Sequence, residues 1–176
     1  MLNMKHISLI FSIIVVATIS MPITHCRVLK PDDVKLIEDT CKQTPNPNLC
    51  VQLLKADPRS SGADIEGLAL ILVDVIKGKA NEALNKINQL LKGKVEKNAL
   101  ISCAGKYKAI LEADVPQATE ALKTGNPKFA EDAASDSAVE ATSCEKGFSG
   151  KSPLTNENNG MNDVANVTRA VVRLLL

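Results

Sequence analysis

Apolar residues recur along most of this chain at the three- and four-residue steps of a helix face, broken by short clusters of Pro, Gly and Asn. The longest such run spans residues 64–92. Ile65, Leu68, Leu72, Val75, Ala83, Ile87 and Leu90 trace one face, and Ile76, Ala80, Leu84 and Leu91 widen it to the breadth a globular bundle buries. Asp64 stands where an N-cap is wanted and Gly93 where a helix exits. A second long helix is predicted over 95–123, with Leu100, Cys103, Tyr107, Ile110, Leu111, Val115, Ala118 and Leu122 inward. Pro116 should kink or interrupt it, because the ring removes the bond to Glu112. Tyr107 is expected as a buried ring with a satisfied hydroxyl.

A third helix is predicted from Asn126, with a small-residue inner face of Ala130, Ala133, Ala134, Ser137, Ala141 and Cys144. Asp132, Asp136 and Glu140 form an acidic row read as a solvated face. Residues 147–160 hold three Gly, a Pro and several Asn and are expected to be a loop. The Ser149–Ser152 segment lacks the upstream Gly and the preceding strand of a phosphate loop. The last helix is expected over 161–176, with Met161, Val164, Ala165, Thr168, Val171, Val172 and Leu175 inward. Residues 27–60 are shorter and broken. Val34, Leu36 and Ile37 mark one small helix ending at Cys41, Thr44-Pro45-Asn46-Pro47 is a turn, and Leu49, Cys50, Leu53 and Leu54 mark a second. The expected architecture is all-α: an N-terminal helical hairpin over 27–60 and an up-down-up-down four-helix bundle over 61–176.

Composition supports this class. Aromatic residues make up only 2% of the 176-residue chain, against the β-branched and aromatic content a sheet would use. Residues 1–26 read as a secretory leader: Lys5 and His6 begin it, Ile7–Ile19 is its apolar segment, and Thr24-His25-Cys26 offers a cleavage site. Removing Lys5 with the leader takes the formal net charge of +1 to zero. A neutral chain with few aromatics is not built to bind nucleic acid, and it has no basic amphipathic face for a membrane surface.

The leader also simplifies the chemistry. Of five cysteines, Cys41, Cys50, Cys103 and Cys144 remain after residue 26, an even number that implies two disulfides in a secreted chain. Three pairings are open. Sequence proximity favours Cys41–Cys50, leaving Cys103–Cys144, and the spacings lack the paired Cys-x-x-Cys knuckles of a zinc site. Both histidines, His6 and His25, lie in the leader. Without histidine or a free thiol there is no Ser-His or Cys-His catalysis and no His-built metal centre, so the chain reads as a non-enzyme without a cofactor. Asn166-Val167-Thr168 is the sole N-glycosylation sequon after the leader, with Asn166 off the inner face.

One short stretch stands apart. In Asn126-Pro127-Lys128-Phe129-Ala130-Glu131-Asp132, Asn126 suits an N-cap and Pro127 the first helical position. Glu131 and Asp132 suit the positive end of the helix dipole, but Lys128 does not. Read locally, Phe129 would tuck into the core and Lys128 would point into water.

Taken in order, the leader, Cys41 to Cys50 around Thr-Pro-Asn-Pro, the run Leu68-Ala69-Leu70-Ile71-Leu72-Val73-Asp74, Cys103 before Tyr107, and Asn126–Asp132 before Cys144 resemble the plant invertase inhibitor and pectin methylesterase inhibitor family. The resemblance covers nearly all of the chain after the leader. It implies a four-helix bundle with a hairpin extension and disulfides Cys41–Cys50 and Cys103–Cys144. The intact triplet Pro127, Lys128, Phe129 resembles the invertase-inhibitor branch, in which that triplet enters the active-site cleft of acid invertase. The implied function is a secreted inhibitor that forms a 1:1 complex with acid invertase in the cell wall or vacuole. Inhibition of pectin methylesterase is the alternative, and a carrier of apolar ligands is a reading from another class.

Overall fold

The computed structural model of the chain describes residues 29–93 and 96–176. The expected leader, residues 1–26, lies outside the described residues, as does Val95 in the second predicted helix. Two short helices come first, α1 (Pro31–Cys41) and α2 (Pro47–Ala56), each with Pro in its first turn. The Asn46 side chain accepts from the N–H of Leu49 at 3.2 Å and caps α2. The Cys41–Cys50 disulfide closes the turn between them, with Cα atoms 5.5 Å apart. Ile37, Cys41, Cys50 and Leu54 are fully buried, so the hairpin packs inward and does not stand alone. Arg59, on the 3₁₀ turn Pro58–Ser60, bridges Asp57 and Asp74 and ties the hairpin to the next helix.

Four long helical segments follow: α3 (Ile65–Leu90), α4 with α5 (Lys97–Ala109 and Val115–Lys123), α6 (Pro127–Lys146) and α7 (Thr155–Val172). The Asp64 carboxylate accepts from the N–H of Gly67 at 2.8 Å, so α3 begins at its expected cap. Both α3 and α6 pack along α4–α5 and along α7, which is the square of an up-down-up-down bundle. On α4 the buried Leu100, Cys103 and Tyr107 all belong to the predicted stripe. On α3 so do Leu68, Leu72, Ile76, Ala80, Ala83 and Ile87, but Ala69, Ile71 and Val73 are buried beside them, and Ile65, Val75, Leu84, Leu90 and Leu91 are only partly covered. On α6, Ala130, Ala133, Ala134, Ser137 and Ala141 are buried. Small side chains let this helix approach closely but remove little apolar area from water. The Cys103–Cys144 disulfide, with Cα atoms 4.9 Å apart, fastens α4 to it.

The second long helix is interrupted, as Pro116 predicts, and the two expectations that follow are corrected. The interruption is a π-helical turn, Ile110–Asp114, in which the Val115 N–H bonds back to the carbonyl of Ile110. Pro116 has no N–H to give and its ring would clash with the Glu112 carbonyl. The widened turn just before it takes up that strain without breaking the rod. Residues 147–160 are not all loop, because α7 already starts at Thr155. Asn158, a loop former by composition, is buried there and bonded on both sides. At the other end, α7 stops at Val172 and a 3₁₀ turn, Arg173–Leu175, replaces the expected helical tail.

Candidate functional site

The α5–α6 corner is fixed from both directions by its own backbone. Gly125 has φ of 71°, the left-handed conformation that only glycine adopts without strain. The Asn126 N–H bonds the Ala121 carbonyl at 2.8 Å and the Gly125 N–H bonds that of Leu122 at 3.1 Å. This pair of bonds is a Schellman closure, and Pro127 directly after it prevents α5 from continuing. Pro127 then opens α6, and the Phe129 N–H bonds the Asn126 carbonyl at 3.1 Å.

Asn126 does not play the part expected of it. Its side chain makes no bond to the N–H groups of α6. Its amide instead donates backward, to the carbonyl and hydroxyl oxygens of Thr124 at 3.2 and 3.1 Å. With φ −116° and ψ 60°, Asn126 lies outside the extended conformation of an N-cap, since the Schellman closure sets its backbone. Asn126 therefore finishes α5 rather than capping α6.

The side chains that follow leave the surface. Phe129 is 59% exposed, so it does not enter the core as its local sequence predicted. Its own carbonyl accepts from Nε2 of Gln117 at 3.2 Å, which holds the corner to α5. Beside the ring runs a shallow groove of about 220 Å³, lined by Gln117, Glu120, Ala121, Thr124 and Asn126. Lys128 is also exposed, but it is not alone. Its Nζ lies 2.8 Å from Oε2 of Glu131 and 3.1 Å from Oδ1 of Asp132. The bonds to Glu131 and then Asp132 raise the Lys128 pKa.

Glu131 is the residue that the sequence concealed. It was expected as one of two acidic groups of the first helical turns, yet it is only 5% exposed. Its second oxygen accepts from Nε of Arg173, on the 3₁₀ turn after α7. Lys128 and then Arg173 hold its carboxyl below the ordinary glutamate range. Forty-two residues separate Glu131 from Arg173, so no local pattern could have paired them. The acidic row is likewise not a plain solvated face, since Glu140 pairs with Lys106 at 3.4 Å.

Asn166 lies mid-helix on α7 and is half-buried. Its amide donates to the Asn162 carbonyl at 2.9 Å and to Asn162 Oδ1 at 2.5 Å. The sequon's Thr168 is fully buried and donates to the Val164 carbonyl at 2.8 Å. Among the described residues no group of three or more His, Cys, Asp or Glu could hold a metal, and no helix is long and apolar enough to cross a membrane.

The family profile described as plant invertase/pectin methylesterase inhibitor matches residues 35–172. The chain belongs to that family. These are proteinaceous inhibitors and not enzymes. Among the chain's relatives in the family, the Arabidopsis thaliana protein named cell wall/vacuolar inhibitor of fructosidase 1 is 56% identical over 137 residues, covering 77% of this chain and 67% of that protein. A pectinesterase inhibitor of Actinidia deliciosa is 29% identical over 151 residues, covering 81% of this chain and 78% of its own length. The crystal structure of a mutant form of an Arabidopsis pectin methylesterase inhibitor superposes with a TM-score of 0.67 at 21% identity, over 77% of this chain and 94% of that one. At that identity the superposition speaks for the family fold alone.

Proposed function

We propose that this family member is a secreted inhibitor of plant acid invertase, a β-fructofuranosidase, acting from the cell wall or the vacuole as a 1:1 protein complex. The observation that carries the choice of target is the 56% identity to an inhibitor of fructosidase, against 29% to a pectinesterase inhibitor over a similar span. Residues 27–176 act as one inhibitor domain, and Pro127, Lys128 and Phe129 enter the enzyme's cleft. A glycoside hydrolase cleft carries a pair of carboxylates, to which the Lys128 ammonium is complementary. Phe129, already exposed, serves as an aromatic anchor that fills an apolar subsite. The Schellman closure and Pro127 order the corner before binding, so little conformational entropy remains to be lost.

Asn166 is the candidate glycan acceptor. Its sequon is wound into α7, so attachment has to precede folding of that helix.

The deciding experiment incubates the purified protein separately with acid invertase and with pectin methylesterase and measures residual activity. Loss of invertase activity with pectin methylesterase unaffected is the expected result. The reverse pattern would transfer the protein to the family's other branch.

A further inference from the structure

Each oxygen of the Glu131 carboxylate has its own cation: Oε2 takes Lys128 Nζ and Oε1 takes Arg173 Nε. Among the described residues Glu131 is also the only side chain that Arg173 bonds. We infer that Arg173 is a positioning residue for the inhibitory element: by keeping Glu131 paired, it frees Lys128 to change partners when the carboxylates of a target cleft arrive. The inference rests on the reading that Lys128 enters such a cleft.

The argument is one of charge left behind. Lys128 cannot approach an enzyme carboxylate while both its contacts point back into the inhibitor, so one or both must open. Asp132 is about half exposed, and water replaces Lys128 there at little cost. Glu131 is not, since its side chain is only 6% exposed. Once the enzyme's surface closes over the corner and keeps water out, a carboxylate that has lost its sole counter-charge there is left poorly solvated and unpaired. With Arg173 on Oε1, Glu131 retains a full positive partner after Lys128 departs. Without Arg173, departure of Lys128 would strand the carboxylate, and the lysine would stay with it. The guanidinium suits this duty because it keeps its proton and its planar donors match a carboxylate edge. The four charges of the patch, Lys128 and Arg173 against Glu131 and Asp132, sum to zero. The corner therefore has no surplus positive field, and its attraction for a target depends on this exchange.

The test is a double-mutant cycle on the full-length secreted protein, read as the inhibition constant against acid invertase, with thermal unfolding recorded for each variant. Arg173→Gln is expected to weaken inhibition about thirtyfold, the lower end of the cost of truncating one side of a buried charge pair. Glu131→Gln should inhibit as well as the parent or better, because it releases Lys128. In the Glu131→Gln background, Arg173→Gln should have less than about a twofold effect, since nothing is then left to hold. Arg173→Lys should restore most of the loss. In the free protein, the Lys128 ammonium followed by NMR should titrate at higher pH in Arg173→Gln, as its hold on Glu131 tightens. An equal loss on removing Arg173 in both backgrounds would mean that it touches the enzyme itself or only supports the fold, and would overturn the proposal. If Arg173→Gln does not fold, Glu131→Gln alone decides: weakened inhibition would overturn the exchange. Unchanged inhibition by Arg173→Gln alongside a loss in Lys128→Ala would sink this inference and leave the proposed function standing. An unaffected Lys128→Ala would remove the reading beneath it.

Discussion

The hydroxyl of Tyr107, on α4, donates a 2.7 Å hydrogen bond to Oδ1 of Asn158, on α7, between helices that do not pack as neighbours in the bundle square. The Asn158 amide passes the connection on to Glu145 at 2.6 Å, and Glu145 also accepts from Thr155. Burial by itself would raise the Glu145 carboxyl, but its donors on Thr155, Asn158 and Ser152 outweigh that and hold it below its ordinary value. A polar chain thus links three helices through an otherwise apolar interior. Burial raises the Tyr107 pKa strongly, which keeps the phenol protonated as a donor.

Tyr107→Phe should destabilise the fold by about 1–3 kcal/mol, because it leaves the buried Asn158 oxygen without a donor. Denaturant unfolding measures this, and a change below about 0.5 kcal/mol would mean that the link carries no net energy. Inhibition at a temperature where the variant is folded should be unaffected, since Tyr107 is far in sequence and role from the α5–α6 corner.

Lys128→Ala and Phe129→Ala should each weaken invertase inhibition while leaving the unfolding midpoint nearly unchanged. Both side chains are exposed, and surface truncations commonly stay within about 0.5 kcal/mol of neutral. The Lys128 contribution should also fall as salt rises, whereas that of Phe129 should persist. Titrating each variant against ionic strength separates the two, and a flat response of the parent protein would argue against a lysine-led contact.

Asp114 gives the fold a pH dependence of its own. It sits in the π-helical turn, with Ser137 Oγ 3.1 Å from its Oδ2, and burial raises its pKa to about 6 despite that bond. The acidic neighbours Asp136 and Glu140 add to the rise. Between the ordinary carboxylate value and about 6, the folded protein holds a proton that the unfolded chain has lost. Stability from this group therefore falls as pH rises through that window and is flat above it. Asp114→Asn should stabilise the protein by about 1–3 kcal/mol at neutral pH and by little near pH 4, read from unfolding midpoints across the range. An equal gain at both pH values would assign the effect to something other than titration.

Replacing both Cys103 and Cys144 by Ala should cost about 4 kcal/mol, and replacing Cys41 and Cys50 about 3 kcal/mol, by loop closure in the unfolded chain. The first pair should also loosen the alanine face of α6, where little buried area compensates. Hydrogen exchange of the α6 amides tests this. Protection unchanged from the parent would show that packing alone secures the helix.

Much of this protein is written locally. The three- and four-residue spacing of Leu, Ile and Ala placed the long helices, because burying an apolar stripe is the main gain available to a chain with so few aromatics. Asp64 and Pro127 fixed helix starts through short-range backbone chemistry. The cysteine spacing favoured the disulfides that the structure contains, since ring closure is easiest between near neighbours. Where sequence reading failed, long-range partners had decided. Asn158 looks like a turn former until Tyr107 and Glu145 satisfy it inside a helix. Asn126 looks like a cap until the end of α5 claims its backbone. Pro116 signalled an interruption, and the structure gives it the form of a single π-helical turn. Phe129 would have been assigned to the core on hydrophobicity, yet the rigid corner turns it outward. The pairing of Glu131 with Arg173 joins residues that meet only after the bundle closes, and such a contact has no period or motif by which a sequence could announce it.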